Sequence, residues 1–331
     1  MNKRVAYIDF AKFIGLCLVI YGHVPPTDNI GHVIIYSFHM PLFFLLSGVF
    51  FDISRFSLSK NIKSLLIPYV VFTIFLVFLK SVVSYLLSGK LGGQIIISEL
   101  IGILLGSTDP EAPYQVIGGA SWFLIALFII RINAMFILTQ DKYLQIFIVT
   151  GELLAIFLLQ RVIMWFPLSI DSAVLGTPFF IVGFYLKRIV TEKIPNTRLR
   201  VIYILLLGGI VGLSPYNGLV NMCAGSYGNH YVLFFFFGIA GTLFILYISA
   251  CLKKQPPFVA QIVRGAPLVI CTHLWILEYL YLAYRLILHR KLLNPIPFVW
   301  WEKVLFTAII MLISYVLIKI INKFCPVIMG R

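Results

Sequence analysis

Charge is what this chain has least of. Only 11% of its 331 residues are Asp, Glu, Lys or Arg, against about 25% in a soluble domain. With 61% apolar residues and a mean hydropathy of +1.00, a soluble globular protein is excluded and an integral membrane protein is indicated. Cysteine is sparse too. Cys17, Cys223, Cys251, Cys271 and Cys325 are scattered with no C-x-x-C pair. That leaves them as small hydrophobes, most of them in or beside apolar runs. No His, Cys and carboxylate residues recur at metal-ligand spacing, so no metal is expected. Acidic residues number 12 against 26 Lys and Arg, for a net charge of +14. Such an excess would suit nucleic acid, but its placement argues against that partner.

What fills the chain instead is hydrocarbon. Apolar windows of about 17–25 residues mark membrane spans. Ten are read, at roughly 5–24, 32–52, 62–87, 117–138, 142–163, 172–189, 199–215, 230–252, 263–286 and 299–322. The expected fold is all-α and polytopic, a single membrane-embedded domain over 1–331 with no appended soluble domain. The first run resembles a signal peptide, but it carries Asp9 and Lys12 and lacks a small-residue cleavage site, so a retained helix is expected. Segment 93–106 is apolar but short and carries Glu99, which suits an interfacial or re-entrant piece. Trp122, Trp165, Trp300 and Trp301 fall near predicted ends, as an aromatic belt would have them.

Loop charge gives a direction. Eighteen Lys and Arg fall on the side of the N-terminus and six on the other, with Lys12 and Lys80 inside spans. This positive-inside bias places both termini in the cytoplasm. The excess charge is then a topology signal and, on one face, a surface for an anionic cytoplasmic ligand.

Ionisable residues inside apolar runs point to function, because hydrocarbon is an expensive place for them. On the first helix the steps Asp9 to Lys12 and Lys12 to His23 turn by about −60° and +20°, so all three share one face. The stripe spans roughly 20 Å, most of a bilayer core. The ordinary explanation is an interfacial Asp9, a snorkelling Lys12 and a capping His23; the shared face weighs against it. Asp9 and Lys12 can also pair across one turn. His39 lies about two turns into the second span, at a depth like that of His23. Pro41 disturbs the helix there and can free carbonyls to line a cavity, and Ser47-Gly48 permits close packing. Lys60 and Lys63 precede Pro68; on spacing alone they read as cytoplasmic anchors, and functionally as a phosphate-binding pair. Gly118-Gly119 suggests a bend beside Trp122. His273 and Glu278 lie in the ninth span about 140° apart, so they do not face one partner. Glu152 and Lys80 are intramembrane residues with no assigned partner. His23 and Asp28 form H-x-x-x-x-D, a spacing used by glycerolipid acyltransferases, but two intervening prolines make it a coincidence. Asp28 can still orient His23 from the outer loop.

These residues resemble the membrane-bound acyltransferase 3 family, specifically its fucose 4-O-acetylase-like branch, over nearly the whole chain. Helix one is similar to D-x-x-K-G-x(n)-G-H, with Phe13 where glycine usually stands. Lys12 and His23 correspond to R-x10-H, Lys60-x-x-Lys63 before LLIPY to R-x-x-R, and FHMPLFFLLSG, SWFLIALF and VICTHLWI also match. The resemblance implies a ten-helix core in a bacterial cytoplasmic (inner) membrane. It implies transfer of an acyl group, with acetyl favoured, from cytoplasmic acetyl-CoA or another acyl-CoA. The acceptor is a hydroxyl of a glycan or lipid-linked saccharide at the outer face, as in polysaccharide modification. The partners implied are acyl-CoA, the acceptor and the lipid bilayer, with no nucleic acid and no metal; oligomeric state and acceptor identity stay open. Lysine at all three arginine positions holds phosphate without bidentate geometry.

O-acylation by a thioester needs a base for the hydroxyl proton, a task that suits imidazole. His23 is assigned that role and His39 the orientation of the acceptor or polarisation of the thioester. Lys12, Lys60, Lys63 and Asp9 are assigned to coenzyme A, and Asp28, Trp122, His273 and Glu278 to the substrate cavity, His273 more as a lining residue than as a catalyst. Two routes fit, a pantetheine arm threading along the stripe or an acyl-enzyme. Rival classes are a transporter or flippase of a polar lipid or solute, whose inverted repeats and broken midplane helices are not evident, and a membrane interaction protein without chemistry.

Overall fold

A chain this apolar must satisfy its backbone polar groups internally, and helices do so within each segment. The computed structural model describes residues 5–27, 29–89, 93–117, 119–194, 198–252, 256–287 and 298–329. Among them, ten helices are long and apolar enough to cross a membrane, from Ala6–His23 to Trp300–Phe324, and each matches one predicted span. The protein is an all-α polytopic membrane protein.

The helices that position the site are α1 (Ala6–His23), α2 (Ile30–Tyr36), α3 (His39–Val49), α4 (Ile67–Ser88), α5 (Gly93–Leu105), α6 (Trp122–Leu138), α7 (Lys142–Leu159), α8 (Ile170–Tyr185), α9 (Arg200–Gly212), α10 (Tyr231–Ser249), α11 (Pro257–Arg264), α12 (Ala266–Ile287) and α13 (Trp300–Phe324). Helix α1 is the staff of the bundle. It packs against α2, α3, α10, α11, α12 and α13, and Ile8, Ala11, Leu16 and Ile20 are fully buried along it. Helices α7 and α9 are peripheral, with only 11% and 17% of their apolar windows buried.

The second span is broken rather than bent at Pro41. Helix α2 stops at Tyr36, Phe38 leaves helical geometry (φ −141°, ψ −14°), and α3 restarts at His39. Proline clashes with the carbonyl four residues back and cannot donate to it. The break therefore falls just N-terminal to Pro41, which sits in the first turn of α3, where proline is tolerated. Pro68 has a similar effect on the third span. A single turn, Leu58–Asn61, passes through a π-helical turn, Ile62–Leu66, into α4.

Segment 93–106 folds as α5, whose thirteen residues are too few to span comfortably. It docks on α4 through the Lys80–Glu99 ion pair and through the Tyr69 hydroxyl, which donates to the Ile103 carbonyl at 2.7 Å. Lys80 thus has a partner. So does Glu152, whose carboxylate accepts from Asn133 Nδ2 at 2.9 Å. Both satisfy themselves between neighbouring helices. Between α9 and α10 lies a small hairpin, in which β1 (Val220–Asn221) pairs antiparallel with β2 (Ser226–Tyr227). It is tied down by Asn217, which donates to Tyr227 O at 3.1 Å and accepts from His230 N at 2.8 Å. Ser172 Oγ donates to Met222 O at 2.6 Å, and the Tyr227 hydroxyl donates to Asp171 at 3.0 Å.

Close packing at Ser47-Gly48 is realised against α8. A Cβ on Gly48 would run into the Phe180 carbonyl, and a Cβ on Gly183 into the Leu45 carbonyl. Two backbones meet here with no side chain to yield. Gly48→Ala is therefore expected to destabilise by about 1–3 kcal/mol or more, read as a lower melting temperature in detergent. An unchanged melting temperature would show that α3 and α8 are not in backbone contact.

Candidate active site

Two cavities open along α1. Lys12, Arg55 and Lys60 mark the basic end of the bundle; His23 and the hairpin mark the far end.

The far cavity measures about 380 Å³, and its wall includes His23, Tyr36, His39, Trp122, Asn221 and Cys223. His23 is the last residue of α1, and its Nδ1–H donates to Val19 O at 2.7 Å. His39 opens α3, and its Nδ1–H donates across the helix break to Ile35 O at 3.0 Å. With Nδ1 so engaged, each neutral ring keeps its lone pair on Nε2. Tyr36 closes α2 and stands between them, its ring centroid 5.9 Å from that of His23 and 4.6 Å from that of His39. His32, which the sequence did not single out, is buried, and its ring lies tilted against that of Tyr36 with centroids 3.8 Å apart. Its Nδ1–H donates to Gly22 O at 2.9 Å, pinning α2 to the end of α1.

His273 stands behind the cavity rather than in its wall. It is fully buried, and its ring meets that of His23 edge to face at 5.1 Å. Its Nδ1–H donates to Val269 O at 2.8 Å, and among the described residues its buried Nε2 has no hydrogen-bond partner. Trp122 is no belt residue. It is 4% exposed, begins α6 and lines the cavity. Glu278 lies on the exposed side of α12 and lines neither cavity. Asp28 and Gly118 fall outside the described residues. Among the described residues, no three His, Cys, Asp or Glu side chains converge as a metal site.

The basic cavity measures about 280 Å³ and is lined by Lys12, Arg55, Lys60 and Arg131, with Asp52 as its one carboxylate. The Lys12 ammonium sits 4.9 Å over the Phe50 ring. Ser57 caps the turn that carries Lys60, accepting from Lys60 N at 3.4 Å. The Ser54 hydroxyl and N–H hold the Asp52 carboxyl below its ordinary range, so it stays charged. Lys63 does not join Lys60. It lies in the π turn, exposed and off the lining, because the wider i→i+5 turn breaks the register that a regular helix would give the pair. Asp9 is buried beside Lys12 on α1 and is also off both linings. Arg55 and Arg131 are additions that sequence reasoning took for topology charges.

On α1, the eleven residues from Lys12 to His23 amount to about 16 Å of rise. Gly15 and Leu16 on α1, and Leu42 and Phe43 on α3, fall between the residues that line the two cavities. Leu16 and Leu42 are fully buried. A Cβ on Gly15 would meet Leu42 Cδ2 at 2.8 Å and Phe43 Cζ at 2.9 Å, so α1 and α3 pack closely here.

Cys223 is a nucleophile type in the far wall. Burial pushes its thiol up to about 11, and the thiolate is the reactive form. Of the other cysteines only Cys271 is buried; Cys251 and Cys325 are exposed. Cys223→Ser is therefore expected to keep activity within about threefold, and maleimide labelling of Cys223 at pH 7 is expected to lag well behind that of Cys251. Loss of activity in Cys223→Ser would make it an acyl carrier.

A family model described as an acyltransferase domain matches residues 5–319. No curated protein and no solved structure matches the chain.

Proposed function

This chain belongs to the acyltransferase domain family, and on that premise we propose that it is an acyl-CoA-dependent membrane O-acyltransferase that works between its two cavities. The acyl group, most simply acetyl, comes from acyl-CoA at the basic end. The acceptor is a hydroxyl of a glycan or lipid-linked saccharide at the far end. The positive-inside bias supports a cytoplasmic basic end, as in a bacterial inner membrane, and the motif resemblance to fucose 4-O-acetylase-like proteins favours acetyl. Family membership sets the transporter reading aside.

The observation that carries this reading is that one helix, α1, supplies a cation to the first cavity and an imidazole to the second. Coenzyme A is polyanionic at its nucleotide end and needs cations there. The ester-forming step needs a base, and His23 offers an Nε2 lone pair at the cavity wall. In that step Nε2 takes the proton as the hydroxyl oxygen attacks the thioester carbonyl. The C–S bond breaks as the tetrahedral intermediate collapses, and the coenzyme A thiolate recovers the proton from the imidazolium. The oxyanion needs donors, and Tyr36 and Thr108 carry hydroxyls on the same wall. His39 has spent its N–H on Ile35 O, which favours it as the acceptor of the substrate's hydrogen bond over a role in polarising the thioester. Trp122 offers an aromatic face to a sugar ring. His273 backs the ring of His23.

Either route, threaded arm or acyl-enzyme, has to pass the packed contact of Gly15 with Leu42 and Phe43. The test is enzymatic. Purified protein supplied with acetyl-CoA and a glycan acceptor is expected to release coenzyme A and form ester. His23→Ala is expected to lose about 10²-fold or more of that rate while still binding coenzyme A, and a strain carrying it to lose surface O-acetyl groups. Ester formation at the wild-type rate in His23→Ala would remove His23 as the base.

A further inference from the structure

The basic cavity has a gap in its chemistry. Lys12 and Lys60 are compact point charges, whereas a phosphoryl group is gripped best by the planar fork of an arginine. Two guanidinium groups share the cavity. Arg55 is tied to Asp52 at 3.4 Å, and its side chain is 66% exposed. Arg131 is different. It projects from the middle of a membrane-length helix, is only half-buried by protein, and forms no ion pair with a described residue.

Its one hydrogen bond among the described residues is instructive. Arg131 Nη1 donates to Asn61 Oδ1 at 3.0 Å. Asn61 is itself buried and donates through Nδ2 to Ser57 O at 3.0 Å. This fixes the guanidinium to the same capped turn that carries Lys60. An amide holds one edge of the fork without cancelling its charge; an aspartate there would cancel it. A cation kept in a membrane-embedded wall without a counter-ion is costly. The arrangement leaves Arg131 with its charge and its other N–H groups unspent, beside two lysines.

We propose that Arg131 is the bidentate phosphate ligand of this cavity and grips a phosphoryl group of the acyl donor, while Lys12 and Lys60 neutralise the remaining charge. The assignment rests on the reading that the basic cavity takes acyl-CoA. It gives that cavity the fork that its motif lysines lack. The shared chemistry is phosphate, which an anionic lipid headgroup also carries, so the test separates the two sources.

The full chain in phosphatidylcholine nanodiscs would be titrated calorimetrically with coenzyme A and with pantetheine, which lacks phosphate, and again in discs containing phosphatidylglycerol. Wild type is expected to prefer coenzyme A strongly. Arg131→Lys, which keeps the charge, is expected to weaken coenzyme A about ten- to a hundredfold, the range for a lost hydrogen bond to a charged group. Asn61→Asp, which leaves the guanidinium in place but neutralises it, is expected to weaken it comparably and guards against a folding defect in Arg131→Lys. Phosphatidylglycerol is expected to change the affinity less than twofold. Wild-type affinity in both variants, with preference for coenzyme A over pantetheine intact, overturns this assignment and leaves the acyltransferase reading standing. No preference in the wild type overturns the acyl-CoA reading itself. Competition by phosphatidylglycerol that Arg131→Lys relieves would assign Arg131 to a lipid headgroup and also overturn the proposal.

Discussion

Three imidazoles in this bundle give their Nδ1–H to a carbonyl four residues back. His23 bonds Val19, His39 bonds Ile35 and His273 bonds Val269. In water such a bond would be a minor local contact. Between packed helices, where an unpaired donor costs a few kcal/mol, it decides the tautomer. Each neutral ring then carries its lone pair on Nε2, and so has an acceptor rather than a proton to offer there. The base assigned to His23, the acceptor-orienting role of His39 and the packing of His273 behind His23 all follow from this repeated bond. The break in the second span serves the same end, because it lets His39 begin a new helix with Ile35 still in reach.

The second constraint is that α1 packs against six other helices and carries polar groups at both ends. A surface helix could present Lys12 and His23, but it could not hold them in two cavities separated by a packed wall. The glycines that let α3 and α8 meet backbone to backbone, Gly48 and Gly183, keep α3 tight against that wall. Gly15 lets Leu42 and Phe43 approach α1 closely. The packed contact of α1 with Leu42 and Phe43 of α3 thus falls between the linings of the basic and the far cavity along both helices.

Much of this was legible in the sequence. Ten spans could be read because hydrocarbon thickness fixes their length, and the α1 stripe because a helix has a fixed period. The break near Pro41 and the close contact at Gly48 followed from local chemistry. What stayed hidden depends on long-range or irregular structure. Periodicity cannot show a π turn, so Lys63 was grouped with Lys60. The roof that Asn221 and Cys223 form over the far cavity comes from a loop hairpin with no apolar pattern. Tyr36 and His32 sit on a helix of seven residues, too short to show a face. Arg131 has the look of one more cytoplasmic anchor until Asn61 is seen beside it. His273 meets His23 only when α12 packs on α1, and Glu278 then turns outward, as their angular offset required.

The central claim is that one chain moves an acyl group from a donor in the cation-lined cavity to an acceptor in the histidine-lined cavity. Its most direct test is sidedness. Protein reconstituted in sealed vesicles would receive isotope-labelled acetyl-CoA on one side only and a saccharide acceptor on the other side only. The account predicts labelled ester on the acceptor, free coenzyme A on the donor side, and neither with His23→Ala. Ester formed only when donor and acceptor share a compartment would contradict it.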